Sequence, residues 1–262
     1  MAKQKNLYRD HHFNQIKTGW NVVFSIILCL ISLLMLIPLV LIVVVSFSSE
    51  ASIALNGFSF FPTEWTLVGY KYLAKMGDQI LVSYRITIII TILGTLMSLF
   101  VMTMYAYVLA QKNFVFRKFF MWILFFTMLF SGGLVPSYIM NVRYLHINDS
   151  IWIFLLPSLV SVYNVIILRT FILTTIPDTL FEAARIDGAG HFRVYVSIVL
   201  PLFKAGIATI ALFNVVSRWN DWFTGMLYIK KASLIPLQTM LKNIQSNFSF
   251  YIDLDPDFAY TD

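Results

Sequence analysis

Apolar and polar residues fall into long blocks along this chain, not into the alternation of a half-buried strand or the three-and-four spacing of a half-buried helix. Crossing a hydrocarbon layer about 30 Å thick takes about 20 residues at about 1.5 Å each. Thr18 to Ser49, Ile86 to Gln111, Phe119 to Val142 and Ser150 to Leu168 contain no Asp, Glu, Lys or Arg and are dominated by Ile, Leu, Val, Phe and Met. Each is predicted to be a transmembrane helix. A fifth block, Ala205 to Ser217, reaches spanning length as Leu200 to Trp222 only if Lys204 and Arg218 snorkel from its two ends. Pro38, Gly94, Gly132, Gly133, Pro136 and Pro157 punctuate these blocks. They read as the ordinary Gly and Pro content of membrane helices, with kinks where neighbours re-satisfy the backbone, the alternative being a gating hinge at Gly132 to Pro136.

Composition agrees. Of 262 residues, 59% are hydrophobic and 12% charged, against about 45–50% and about 25% in a soluble domain. The solvent is lipid. The net charge of +6 is not gathered into a basic stripe with interleaved aromatics, which argues against nucleic acid. Cys29 is the one cysteine and lies in an apolar run, so an intramolecular disulfide is impossible. The first run follows Lys3, Lys5, Arg9 and Lys17 as a signal peptide would, but it is too long and lacks a small-residue exit, so it reads as a retained helix.

Lys and Arg set orientation. Residues 1–17, Lys112, Arg117, Lys118, Arg169, Arg185, Arg193 and Lys204 fall on one side of the predicted spans. The other side has Lys71, Lys75, Arg143, Arg218, Lys230, Lys231 and Lys242, fewer in number and partly in a long terminal segment. The N-terminal tail, 1–17, is therefore predicted to be cytoplasmic, and 223–262, with Asp253, Asp255, Asp257 and Asp262, to lie outside.

Catalytic tools are missing. The chain has no G-x-x-x-x-G-K-[ST] to cradle a nucleotide phosphate, no H-E-x-x-H and no G-x-S-x-G. His11, His12, His146 and His191 are scattered, and the adjacent pair reads as a solvated tail. No span contains a carboxylate of the kind proton-coupled carriers use. An ion-coupled secondary transporter of a small polar solute is the alternative reading, and it lacks that residue.

The most informative stretch is Pro177 to Pro201, PDTLFEAARIDGAGHFRVYVSIVLP. It reads as two short helices. Thr179 and Glu182 have capping-box spacing, and Gly188 offers a left-handed stop. Leu180, Ala183, Ala184 and Asp187 then share a face on which two small residues let another surface come close, with Glu182 and Arg185 at its edges. Such a helix suits docking.

Glu182, Ala183 and Ala184, then Gly188, then Ile198, Leu200 and Pro201 in I-x-L-P keep the spacing of the EAA motif. The chain thereby resembles the permease subunits of ATP-binding-cassette importers, and EAARIDGAG with IVLPL resembles the carbohydrate-uptake branch related to the maltose-type inner permease. The resemblance implies an all-α integral membrane fold, that of a type I importer transmembrane domain. Five helices would be present, with a sixth, usual in the family, beyond the end of the sequence. It implies a permease domain over 18–222 and a cytoplasmic coupling loop at 176–200. Function would be import of a carbohydrate, in the form of an oligosaccharide, by alternating access. Glu182 would be the charged anchor, Ala183 and Ala184 the flat docking face, and Asp187 and Gly188 the turn that aims it; Pro201 would start the fifth span. The chain would be no enzyme and bind no cofactor itself. ATP and Mg would be used by two partner ATPases, and a second homologous permease and an extracytoplasmic solute-binding protein would complete the assembly in the cell membrane.

Polar groups inside a bundle are candidates for a pathway. The richest set ends the fifth span: Asn214, Ser217, Arg218, Trp219, Asn220, Asp221 and Trp222. Sugars offer hydroxyls to such amides and charges and C–H faces to indoles. An interfacial aromatic belt accounts for the same residues equally well. Tyr163 and Asn164 in the fourth span are a weaker set. The outer segment, 46–79, with Phe58, Phe60, Phe61, Trp65 and Tyr70, is long enough to be structured, and by resemblance would touch the solute-binding protein.

Overall fold

The computed structural model describes residues 18–254. The charged tail, His11, His12, Asp255, Asp257 and Asp262 lie outside the described residues. Two units are distinguished, one reaching Lys75 and one running from Met76 to Asp253. In the first, α1 (Thr18–Ser46) is apolar on every side and long enough to span, and none of its spanning window is buried. The segment that follows is structured. Ser49 caps α2 (Glu50–Asn56) by accepting from Ser52 N at 3.1 Å, and Gly57, at φ 68°, ends it. An antiparallel bridge joins Ser48 to Trp65, and Phe47 stacks on Tyr70 of α3 (Val68–Lys75) at 5.1 Å.

The second unit is organised around α4 (Gly77–Ala110), which begins before the predicted Ile86. Its inward face carries Ser83, Thr87, Thr91, Gly94, Ser98, Met102 and Ala106, all buried. Small residues at this spacing let helix backbones approach, which is how helices associate where lipid removes the hydrophobic drive. Against α4 pack α8 (Val162–Thr175) and α12 (Lys204–Trp219). Two apolar clusters result. One joins Met102, Leu109, Leu168, Ile172, Val199 and Phe203; the other joins Ile90, Ile153, Phe154 and Ile229.

Three predicted spans are broken. The third is α5 (Arg117–Leu129), a turn at Gly133 with φ 87°, then α6 (Leu134–Ile139) running on to Tyr144, with 111° between the two parts. Two adjacent glycines permit a reversal there that a kink does not describe. The fourth, predicted as Ser150 to Leu168, is a single turn, α7 (Trp152–Leu155), an irregular stretch around Pro157, and α8, whose first turn is capped by Ser161. Proline supplies no N–H and disfavours helix just before it, so the ladder fails at that point. The fifth begins at Lys204. Pro201 sits one element earlier, in the last turn of His191–Leu202, and that stretch meets α12 at 80° across buried Phe203. Among the described residues two helices, α1 and α4, are each long and apolar enough to span, and the number rises to at most five if three bent pairs are each taken as one span: α5 with Leu134–Tyr144, α8 with Asp178–Ile186, and His191–Leu202 with α12. Beyond α12, 223–254 folds as α13 (Phe223–Tyr228), a short turn and α14 (Leu237–Leu254).

Candidate functional site

The segment predicted to dock is α9 (Asp178–Ile186), and its start differs from the expected capping box. Pro177 is the cap, at φ −61° and ψ 143°, with no side-chain cap bond. Its ring fixes the entry angle, so Thr179 is already inside the first turn and free of a capping role. Asp178 sits at the positive end of the helix and pairs with Lys112, just beyond α4. Both side chains are more than half exposed, so the pair sets direction more than stability.

The other end is fixed by backbone. Ala189 N donates to Ala184 O at 2.9 Å and Gly188 N to Arg185 O at 3.0 Å, with Gly188 at φ 72°. This is the paired 6→1 and 5→2 pattern of a Schellman turn, and the left-handed glycine was legible in the sequence. After it, Tyr107 of α4 donates to His191 O at 3.2 Å, and Thr103 shares a 2.7 Å hydrogen bond with Tyr195. The segment is thus fastened at the first residue of the helix to Lys112, just past α4, and at two points after the helix to α4 itself.

The exposed face is not the predicted one. Ala184 is buried with half-buried Phe181 against the core. Glu182, Ala183 and Asp187 are exposed, and Ile186, opposite Ala184 and Phe181 on the helical wheel, is 87% exposed. One alanine of the pair packs the helix onto its own chain, and the other, with Glu182 and Ile186, faces out. Ile186 was overlooked because it stands between Arg185 and Asp187; five residues after Phe181, the wheel would have placed it outward.

The polar cluster of α12 divides likewise. Asn214 and Arg218, four apart, are buried towards α4. Asn214 Nδ2 donates to Ile210 O at 2.9 Å within its own helix. Arg218 does not snorkel: it is 8% exposed, and donates to Phe154 O at 2.7 Å, Ser158 O at 2.9 Å and Ser98 Oγ at 2.7 Å. Phe154 and Ser158 flank the break at Pro157, so the guanidinium takes up carbonyls without a helical N–H partner, sharing Phe154 O with the Ser158 hydroxyl and Ser158 O with that of Ser98. Irregular backbone at membrane depth survives where it is satisfied by protein in this way. Gly94 makes room: a β-carbon there would collide with the guanidinium.

The remaining members lie elsewhere. Ser217 and Asn220 are exposed, and Asn220 Nδ2 donates to Val216 O. Trp219 meets Tyr84 at 6.4 Å, Asp221 accepts from Thr224 N at 3.0 Å, and Trp222 lies under the Lys242 ammonium at 5.5 Å. Tyr163 is 60% exposed on the first turn of α8 and Asn164 is half-buried beside it. Among the described residues, no hydrogen bond links these two side chains to the α12 cluster.

Residues 105–252, more than half the chain, match the model of the family described as "Binding-protein-dependent transport system inner membrane component". The chain belongs to that family. This inner membrane component is 34% identical over 217 residues to the polygalacturonan/rhamnogalacturonan transport system permease protein YtcP of Bacillus subtilis (strain 168), covering 83% of this chain and 75% of that one. It is 38% identical over 209 residues to protein LplC of the same organism, covering 80% and 70%. Among solved structures, a bacterial ABC transporter involved in the import of the acidic polysaccharide alginate matches with TM-score 0.75 and 31% identity, over 86% of this chain and 79% of that one. The all-α transmembrane fold of an importer permease is that of this inner membrane component, and both α9 and the Arg218 clamp lie inside the matched region.

Proposed function

We propose that this permease imports a carbohydrate, specifically an acidic oligosaccharide, in an assembly with a second permease, two ATPases that hydrolyse Mg-ATP, and an extracytoplasmic binding protein. The observation that carries the reading is α9: a short helix with Glu182, Ala183 and Ile186 outward, its segment tied at Asp178 to Lys112 and at two points after the helix to α4. The N-terminal tail and 176–200 are assigned to the cytoplasmic side, and 46–79 and 223–262 to the outer side, where the binding protein would meet 46–79. The acidic cargo follows from the names of two relatives, one a polygalacturonan/rhamnogalacturonan permease and one an alginate importer. The exposed apolar surface of α1 suits lipid or the second permease.

In this mechanism, nucleotide-driven closure of the ATPases displaces α9. Lys112, Tyr107 and Thr103 pass the displacement to α4. The Ser98–Arg218 contact passes it to α12 and to the break in the fourth span, opening the path outward. Ser217, Asn220, Trp222 and Tyr163, all exposed, are the groups free to meet sugar, while Trp219 and Asp221 support them.

Co-purification of the tagged permease with its ATPases, combined with uptake of oligogalacturonate into proteoliposomes, tests the reading. Ile186→Asp and Gly188→Asp leave membrane insertion intact and abolish ATPase association and uptake. Normal association in both variants, or uptake that persists without ATP, overturns the proposal.

A further inference from the structure

We propose that the groove between the start of α5 and α8 binds an anionic phospholipid, with the phosphate at Arg117, Lys118 and Arg169 and an acyl chain along Trp122, Phe125 and Leu129. The recess has a volume of about 490 Å³, and no Asp or Glu is among its lining residues.

The local electrostatics call for an anion. Arg117 and Lys118 occupy the first turn of α5, where the helix presents its positive end. Acidic residues are absent from that turn, and Phe116 gives no side-chain cap. Arg169 adds a third cation from α8, close enough to Arg117 for the two guanidiniums to repel. Its Nε is committed to Leu109 O at 3.1 Å, which fixes the guanidinium and leaves its amino groups for another acceptor. Three cations gathered at a helix start, with no ion pair to any of them among the described residues, suit a phosphate.

The apolar side selects the source of that phosphate. Residues 122, 125 and 129 share one strip of α5 that runs about 10 Å away from the cations along the helix axis. Trp122 is 74% and Leu129 75% exposed. A soluble phosphate has no use for such a strip; a lipid, charged at one end and apolar beyond, matches both parts in the right order. Basic pockets at the inner face of membrane bundles hold anionic headgroups for this reason. The inference rests on the proposed orientation, which puts the start of α5 at the inner leaflet.

The test uses the assembled importer in nanodiscs of phosphatidylcholine with or without phosphatidylglycerol, and counts retained lipid by native mass spectrometry. The wild type retains phosphatidylglycerol over phosphatidylcholine. Lys118→Gln weakens that retention about fivefold, and Arg117→Gln with Lys118→Gln weakens it by about fivefold again. Soluble glycerol 3-phosphate does not compete, and Trp122→Ala loosens both lipids alike. Equal retention in the double variant overturns the proposal. So does displacement by glycerol 3-phosphate, which would mark a site for a free phosphate, or a photocrosslink from position 122 to a partner subunit in place of lipid. Retention is read without transport or ATPase association, so failure of the docking-helix variants and failure here are separate results.

Discussion

The two ends of the mechanism solve opposite problems with the same materials. At α9 the backbone closes its own turn through Gly188, and Ala184 with half-buried Phe181 packs the helix inward, so Glu182, Ala183 and Ile186 are left exposed. At the break in the fourth span the backbone is left open at Phe154 and Ser158, and a buried side chain, Arg218, is consumed in closing it. A charged residue facing outward at α9 therefore stays exposed, whereas Arg218 on α12 is consumed by hydrogen bonds within the chain. Residue type does not separate the two roles; the state of the nearby backbone does.

If that contrast holds, the largest effect belongs to Arg218. Arg218→Leu removes three hydrogen bonds from a charged donor, leaving Phe154 O with Ser158 Oγ alone and Ser158 O with a long contact from Ser98 Oγ, and is expected to destabilise the folded permease by about 3 kcal/mol or more, since hydrogen bonds to a charged group contribute about 1.5–3 kcal/mol each. Arg218→Lys, able to reach fewer acceptors, falls between. Thermal unfolding in detergent, followed by tryptophan fluorescence, measures this. A loss of sugar uptake with unchanged unfolding would instead make Arg218 a substrate ligand and break the comparison. Gly94→Leu sharpens it by pushing on the guanidinium from the other side, with an expected penalty of about 1–3 kcal/mol.

Part of this was legible before any coordinates. The long first apolar helix, a short helix at 178–186 and the left-handed role of Gly188 follow from hydropathy and spacing. The breaks were not, because Gly132, Gly133 and Pro157 look alike whether a neighbour heals the ladder or the chain turns away. Arg218 was misplaced for a related reason: at the end of a block, a snorkelling arginine and an inward clamp have the same sequence, and only the carbonyls of a distant segment decide. Thr179 was assigned a cap because Pro177 can itself be the cap, which the spacing from Thr179 to Glu182 does not reveal.

Next in size is the reverse experiment at α9. Ile186→Asp changes a side chain that is 87% exposed, so the isolated permease should unfold within about 0.5 kcal/mol of the wild type while ATPase binding is lost. Gly188→Ala separates turn from surface. Space around it is open, so the only penalty is the left-handed backbone, about 1–2 kcal/mol, and ATPase association should weaken without disappearing. Titrated pull-downs beside unfolding curves distinguish the two variants.

The smallest effect is expected at a second backbone-closing side chain, outside the spans. Asp149, in a left-handed conformation at φ 49°, accepts from Lys230 N and, at 3.1 Å, from Lys231 N, clipping the loop before α7 to the one after α13. The Lys230 amide hydrogen bond, helped by that of Lys231 and by both lysine charges, holds the carboxyl below its usual range against a modest desolvation effect. The folded pKa is thus depressed relative to the unfolded chain, so the clip's contribution is fully present above the unfolded value and fades only as pH falls through the folded one. Hydrogen-exchange protection at Lys230 and Lys231 should hold from neutral pH down through the ordinary carboxylate range and drop below it. Asp149→Asn, which keeps one acceptor oxygen but no charge, should show reduced protection at every pH and no such drop. Protection that falls in the wild type already near pH 5 would mean the carboxylate is not the group closing this turn, and the parallel with Arg218 would end there.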